Sequence, residues 1–487
     1  MHTPFPAGAR PRPRDRLADK RHARGPGALV PRPPRWSNLP RGSKGWVMAE
    51  ITLGRQIAYG SGQVAGQVFR DVPSLLLLFF LTTVLGIAPA VAGLAIFVPK
   101  FVLGVGCDMA VGVFSDRWRL RFPRRWWLLV GAVGAPVAML LLFHVPAGSE
   151  SLRLGWVVAA FSLYMAVFAC FSVPYLALSS DLASDSRGRT LLMAWRLVFT
   201  AVGVLTAGAL APAVVQRFGG GQPAYESMAL VLAIICPVAL VIAFFGSGGA
   251  ATAPLAAPLA AQRFPRDRLS PRAALGVLLR PRFAVLMGAN LLQLAGSGMG
   301  YAAMLYFLSY NMQRADALQL VGGIVLTMCV GIVIAQPLWV WTARRFGKIR
   351  GYVAGSLLYA AGYLAWGAFP MAPLPVIFGF ALVAAIGNSG WTMNGFALLS
   401  DITADDVPHA GLYSAAWIAA DKIGFALGGS LLVGLVLSGF GFDAGRAMAG
   451  QPQSALALTG VMMAFAVAPP VLNLLGAAVL GLWGREG

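Results

Sequence analysis

Charge is what this sequence is short of. Only 11% of its 487 residues are Asp, Glu, Lys or Arg, while 58% are hydrophobic and the mean hydropathy is +0.71; a soluble domain carries about a quarter charged residues. So little charge cannot cover a water-exposed surface of this size, which excludes an ordinary soluble enzyme or binding module. Histidine is scarce as well: His2, His22, His144 and His409 lie in the terminal tail or near the ends of apolar runs. With no His inside a run, and no nucleophile and base at workable spacing, enzymatic chemistry within the membrane is not expected. The four cysteines, Cys107, Cys170, Cys236 and Cys329, fall inside apolar runs without metal-ligand spacing, so they read as small packing residues. No disulfide, metal site or cofactor is expected. Acidic residues are short too, 18 against 38 Lys and Arg, for a net charge of +20. The basic residues sit in short loops and one terminal tail, which is a topology signal and speaks against a nucleic-acid partner.

What the sequence has instead is long apolar runs. A helix crossing a hydrocarbon core of ~30 Å needs about 20 residues, and twelve candidate spans follow one another: 56–86, 89–115, 126–146, 154–181, 190–216, 227–246, 283–312, 317–343, 350–369, 373–400, 411–439 and 455–483. The expected fold is an all-α polytopic membrane protein of twelve transmembrane helices in two six-helix halves. Residues 1–47, with eleven Lys and Arg among Pro and Gly, are expected to be a disordered basic segment: either a lipid-touching arm or the product of a start site upstream of Met48. The halves are placed at 48–246 and 283–487, and the Ala-, Pro- and Arg-rich stretch 247–282 is expected to link them in the cytoplasm. Alternate loops hold seventeen Lys and Arg against four, for example Arg117, Arg124, Arg344 and Lys348 against Arg153, Arg217, Arg314 and Arg446. This bias places the basic loops and both termini in the cytoplasm of an inner-membrane protein.

The two halves echo each other. Ala177-Leu-Ser-Ser-Asp181-Leu-Ala-Ser-Asp185 matches Ala397-Leu-Leu-Ser-Asp401-Ile-Thr-Ala-Asp405 at an offset of 220 residues, and Trp195 and Trp417 follow the copies. Same-topology repeats with a central loop point to the major facilitator architecture, in which two halves rock about a midplane site.

Charges inside spans cost at least ~2.5 kcal/mol each on insertion scales, so each needs a partner, a wet cavity or an interface. They are Arg70 and Asp71 in span one, Lys100 and Asp108 in span two, Arg196 in span five, and Asp421 and Lys422 in span eleven. Gln63, Gln67, Arg70 and Asp71 share one helical face; Arg70 and Asp71 are candidates for the substrate or for a structural ion pair. Lys100, Gly104, Asp108 and Gly112 form a ladder in which small residues admit a neighbour. Asp108 is the candidate proton or cation carrier, or else the ion-pair partner of Lys100 or Arg196. Asn290, Gln293, Ser297 and Tyr301 of span seven, with Asn388, Trp391 and Asn394 of span ten, offer donors, acceptors and an aromatic face to a hydroxyl-rich ligand, though polar side chains also join membrane helices. Asp116 and Arg117 close span two; with Asp181 and Asp401 they are candidates for gating contacts.

At these residues the chain resembles the glycoside-pentoside-hexuronide:cation symporter family. Tyr59-Gly-Ser-Gly62, Leu81-Thr-Thr-Val-Leu-Gly86, Gly112 to Arg117, Pro174-Tyr175, Arg189-Thr190, Ser400-Asp401, Gly411-Leu-Tyr and Asp421-Lys422-Ile-Gly424 carry the resemblance in order from about residue 59 to 440. It implies cation-coupled transport of a sugar, glycoside or related polar solute, with Asp108 and Lys422 in cation coupling and Arg196 in the binding region. The family's first carboxylate on helix two falls on Gly104, and its sugar-binding carboxylates on helices one and four fall on Gln67 and Ser172. A hard cation such as Na⁺ wants several oxygen ligands, and Lys100 stands one turn from Gly104, so H⁺ is the expected coupling ion over Na⁺, with uncoupled facilitation as the alternative.

The expected partners are a small-molecule substrate, a coupling cation (H⁺ or Na⁺) and the bilayer, and the expected state is a monomer. Two other functions stand beside solute uptake: export or flipping of an amphipathic compound or lysolipid, and a non-transporting scaffold or assembly factor that keeps the fold.

Overall fold

In the computed structural model of the chain the described residues are 52–118, 121–183, 186–248 and 271–483. The expected basic segment 1–47 and residues 249–270 of the expected linker lie outside them.

Among the described residues every regular element is helical, in twelve long segments: α1 (53–84), α2 (Pro89–Arg117), α3 (Trp126–Phe143), α4 (Glu150–Leu182), α5 (186–217), α6 (Gln222–Gly246), α7 (Pro281–Asn311), α8 (317–346), α9 (Lys348–Ala368), α10 (Leu374–Asp405), α11 (410–439) and α12 (Ala455–Trp483). Ten are long and apolar enough to cross a membrane. The other two are α1, diluted by its polar face, and α9, whose 21 residues are rich in Gly and Tyr. In hydrocarbon a backbone must satisfy its own hydrogen bonds, which is why apolar runs of this length become helices. The count agrees with the twelve expected spans.

Two short helices lie outside the expected set. Pro271–Leu278 occupies the end of the stretch expected as linker, and Ala444–Met448 sits between α11 and α12, its first turn capped by Asp443, whose side chain accepts from the Arg446 amide at 3.0 Å. The long helices are also less regular than their sequences suggest. α8 is interrupted at Ala335, just ahead of Pro337, which has no amide to donate and crowds the preceding turn. Wider π-turns occur at 80–84 of α1 and 307–311 of α7, and at 206–210 of α5 and 427–432 of α11. Each of these pairs falls near the offset of the sequence repeat, whereas the π-turns at 73–77 of α1 and 463–467 of α12 have no such counterpart.

The end of the bundle formed by the loops after α1, α3, α5, α7, α9 and α11 is termed here the far end, and the opposite one the basic end. At the far end the two halves meet closely. A Cβ on Gly93 of α2 would stand 2.6 Å from the Ser430 carbonyl oxygen, and one on Gly434 of α11 would stand 2.4 Å from that of Pro89. The Ala90 amide donates to Ser438 Oγ at 2.9 Å across the same seam. α5 and α8 touch through Gly208 against Val325 and Gly322 against Ala209, and the hydroxyls of Thr82 and Tyr306 join α1 to α7 at 2.6 Å. At the basic end the ion pairs among the described residues include Arg124–Asp181 at 3.0 Å in the first half and Lys348–Asp401 at 2.6 Å, Arg282–Asp405 at 3.0 Å and Arg280–Asp406 in the second.

Candidate functional site: a charged layer between the halves

The i, i+4 spacing on α1 brings Gln67 Nε2 to donate to Asp71 Oδ2 at 2.7 Å, with Asp71 only 7% exposed. Arg70 is the next residue back, and on a helix adjacent side chains diverge by about 100°. It points away from Asp71 to the other half, where its guanidinium meets Asp421 Oδ2 of α11 at 3.3 Å and lies 5.6 Å from the Phe425 ring. Lys422, the neighbour of Asp421, reaches Asp108 of α2 in an ion pair, with its ammonium 6.0 Å from the Phe168 ring of α4. Asp108 thus pairs with Lys422, and neither Lys100 nor Arg196 is its partner here.

Lys100 donates to Ser74 Oγ at 3.0 Å in a narrow crevice walled by Pro73, Ile96, Phe425, Gly429 and Ser430, residues of both halves. Arg196 of α5 donates from Nε to Gln63 Oε1 at 2.6 Å, and its guanidinium lies 5.5 Å from the Tyr175 ring. Small residues permit this packing: a Cβ on Gly62 would come within 2.9 Å of Tyr175, and one on Gly203 within 2.5 Å of Gln67 Cβ. Six of the seven embedded charges therefore gather in one layer, from α1 and α2 on one side and α11 on the other, and two ion pairs bridge the halves through it, while Arg196 of α5 is held on Gln63, two turns along α1 from Arg70. The charged side chains of the first bridge remain 44% and 39% exposed.

Other sequence candidates lie elsewhere. Gln293 Nε2 donates to Ser356 Oγ of α9 at 2.8 Å and stands 3.4 Å from Asn473 of α12, fully buried inside the second half. Asn394 Nδ2 donates to the Gly390 carbonyl of its own helix at 2.8 Å, against Gly351 of α9. Trp391 packs on Tyr352, and Asn290 is buried in the same half. Ser172 is half-buried on α4. Asp181 and Asp401 latch to basic residues of their own halves, Arg117 is exposed at the end of α2, and the side chain of Asp116 lies outside what is described.

Several residues join the site without having been singled out for it, Ser74 as the partner of Lys100 and the aromatic faces of Phe168, Tyr175 and Phe425, while Asp421, noted only as an embedded charge, is the partner of Arg70. Two signals were available, since Ser74 lies one turn beyond Arg70 and Asp421 adjoins Lys422. Among the described residues no group of three or more His, Cys, Asp or Glu is placed to hold a metal ion.

A helical bundle of two matched halves that meet at one end, with charges gathered between them halfway along, is the build of a major facilitator transporter. The crystal structure of a bacterial homolog to human lysosomal transporter Spinster has a similar fold, with a TM-score of 0.66 at 17% identity over 88% of this chain and 96% of that one. Residues 58–483 match the family described as MFS/sugar transport protein, and the chain belongs to that family. The inner membrane symporter YicJ of Escherichia coli K12 is 23% identical over 441 residues, 88% of this chain and 91% of the relative. The isoprimeverose transporter of Lactiplantibacillus pentosus is 25% identical over 441 residues, 86% of each. The resemblance to glycoside:cation symporters holds at the level of the family. The protein is a multi-pass membrane transporter that works by secondary transport, and it is not an enzyme.

Proposed function

We propose that this protein carries a sugar, glycoside or related polar solute across the inner membrane by alternating access, coupled to protons, with the basic end in the cytoplasm. The observation that carries the proposal is the pair of ion bridges, Arg70–Asp421 and Asp108–Lys422, that span the two halves at mid-depth. Rocking the halves apart at this level parts both bridges. Each separated charge then faces a cost of ~2.5 kcal/mol or more unless it finds a new partner, and the hydroxyls of a solute supply one. A proton bound at a carboxylate beside the bridges changes the charge balance against which they part, which links its movement to that of the solute.

H⁺ is favoured over Na⁺ by the ligand set. Where the resemblance implies a second carboxylate on α2 there is Gly104, and the carboxylate that remains, Asp108, is already neutralised by Lys422. Na⁺ would have to displace an ammonium to gain one carboxylate, which falls short of the several oxygens a hard cation needs. Orientation rests on the basic loops. The test is uptake into proteoliposomes of a glycoside panel that includes isoprimeverose, with an inward proton gradient or an inward Na⁺ gradient imposed separately. Accumulation driven by the proton gradient alone is expected; accumulation that follows Na⁺ and ignores pH defeats proton coupling, and no uptake of any panel member defeats the solute class.

A further inference from the structure

The layer contains three carboxylates, and they are not equivalent. Asp108 is ion-paired with Lys422 and Asp421 with Arg70. Asp71 is the most deeply buried of the three, and its hydrogen bond comes from the neutral amide of Gln67. Its opposite number is Lys100, whose ammonium donates to the neutral hydroxyl of Ser74. One acid and one base in the layer therefore hold uncharged partners, although each stands within electrostatic reach of the other.

The charged and titratable groups that face Asp71 are Arg70 beside it on α1, Lys100 from α2, Asp421 from α11, Tyr301 from α7, Tyr164 from α4 and Cys329 from α8. Adding a proton to Asp108 or Asp421 breaks an ion pair and strands a cation at mid-depth, which is expensive in a membrane interior. Adding one to Asp71 breaks no ion pair. The acid form keeps an unprotonated oxygen to accept from Gln67.

We propose that Asp71 is the carboxylate that binds and releases the transported proton, while Asp108–Lys422 and Arg70–Asp421 are the bridges that hold the halves in this state. The step is a proton-binding equilibrium: the carboxylate takes one proton from the solution on one side to become the neutral acid, and gives it up on the other, with no change at any carbon. Gln67 is then a positioning residue for Asp71. This assignment rests on the proton-coupled reading above and moves the site from helix two, where the resemblance implied it, to helix one.

Infrared difference spectroscopy on the full-length protein in lipid, stepped between alkaline and near-neutral pH, reads the carboxylic-acid C=O stretch without any solute. The expected result is an acid band that is lost in Asp71→Asn and kept in Asp108→Asn. A band that persists in Asp71→Asn, or its absence from the wild type, overturns the assignment. In parallel, isoprimeverose accumulation driven by a proton gradient should be lost in Asp71→Asn while exchange of labelled for unlabelled solute is retained, an outcome that a misfolded variant cannot give. Wild-type uptake that ignores the pH gradient overturns the coupled reading, and the carrier role of Asp71 with it, even where the band behaves as expected. Loss of exchange together with accumulation in Asp71→Asn overturns the carrier role alone.

Discussion

Lys422 and Asp108 make a pair whose value depends on both members being present. Removing one member leaves a charge at mid-depth without a partner, whereas removing both leaves only apolar and neutral groups. Lys422→Met alone should therefore lower stability by about 1–3 kcal/mol, and the double variant Asp108→Asn, Lys422→Met by clearly less; thermal unfolding of the two in one detergent gives the comparison. At the basic end, Asp406 accepts hydrogen bonds from His409 Nδ1 at 2.8 Å and Tyr413 at 2.8 Å and pairs with Arg280. These partners, the His409 bond foremost, hold its carboxyl below the usual carboxylate range. A depressed folded-state value means that the contribution is present above the ordinary carboxylate pKa and is lost as pH falls through the lowered one. Acid should thus loosen the α10–α11 turn in the wild type, and Asp406→Asn should flatten that pH dependence, read by hydrogen exchange at residues 405–410. The embedded charges themselves were legible as a set, because a charge in an apolar run stands out. Their pairing was not. Helical periodicity says which side chains share a face but not which neighbour that face meets: Gln293, open in the sequence to ligand contact or to joining helices, donates to Ser356 of α9 and stands beside Asn473 of α12.

Among the helices, glycine marks two kinds of close approach with different consequences. Gly387 of α10 packs inside the second half, where a Cβ would stand 2.1 Å from the Tyr359 amide nitrogen of α9. Gly434 of α11 packs between halves, against Pro89. Overpacking a fixed contact costs typically about 1–3 kcal/mol, so Gly387→Val should lower the unfolding temperature. Gly434→Val should instead be relieved by parting the halves at the far end, raising the reactivity of a cysteine placed at Ser430 toward an aqueous maleimide with little loss of stability. Positions of the long helices were readable from apolar runs to within a few residues at most ends. The π-turns were not, since they leave no period in the sequence, and span eight was read as continuous although Pro337 marks the break at Ala335. The short helix Pro271–Leu278 escaped notice because it is amphipathic and only eight residues long, too short for a periodic signal.

For the whole molecule, the division into halves was legible because the repeat carries charged punctuation, Asp181 and Asp401, that composition alone does not explain. Those two carboxylates were candidates for gates between states, and in this structure each binds a basic residue of its own half: Arg124 and Lys348. The far-end seam shows the opposite logic, being built from glycine, serine and backbone across the halves. Closure at one end thus rests on shape, while the other end carries most of the protein's excess positive charge. Two rims of like sign, each stapled internally, push on one another through water, and that push reaches about 8–10 Å at ordinary ionic strength and farther in dilute salt. The resting posture of the bundle is then a property of its surroundings as much as of its contacts: salt and anionic headgroups near the rims soften the repulsion, and the transporter's poise between its two openings becomes a gauge of the ionic atmosphere at the membrane face.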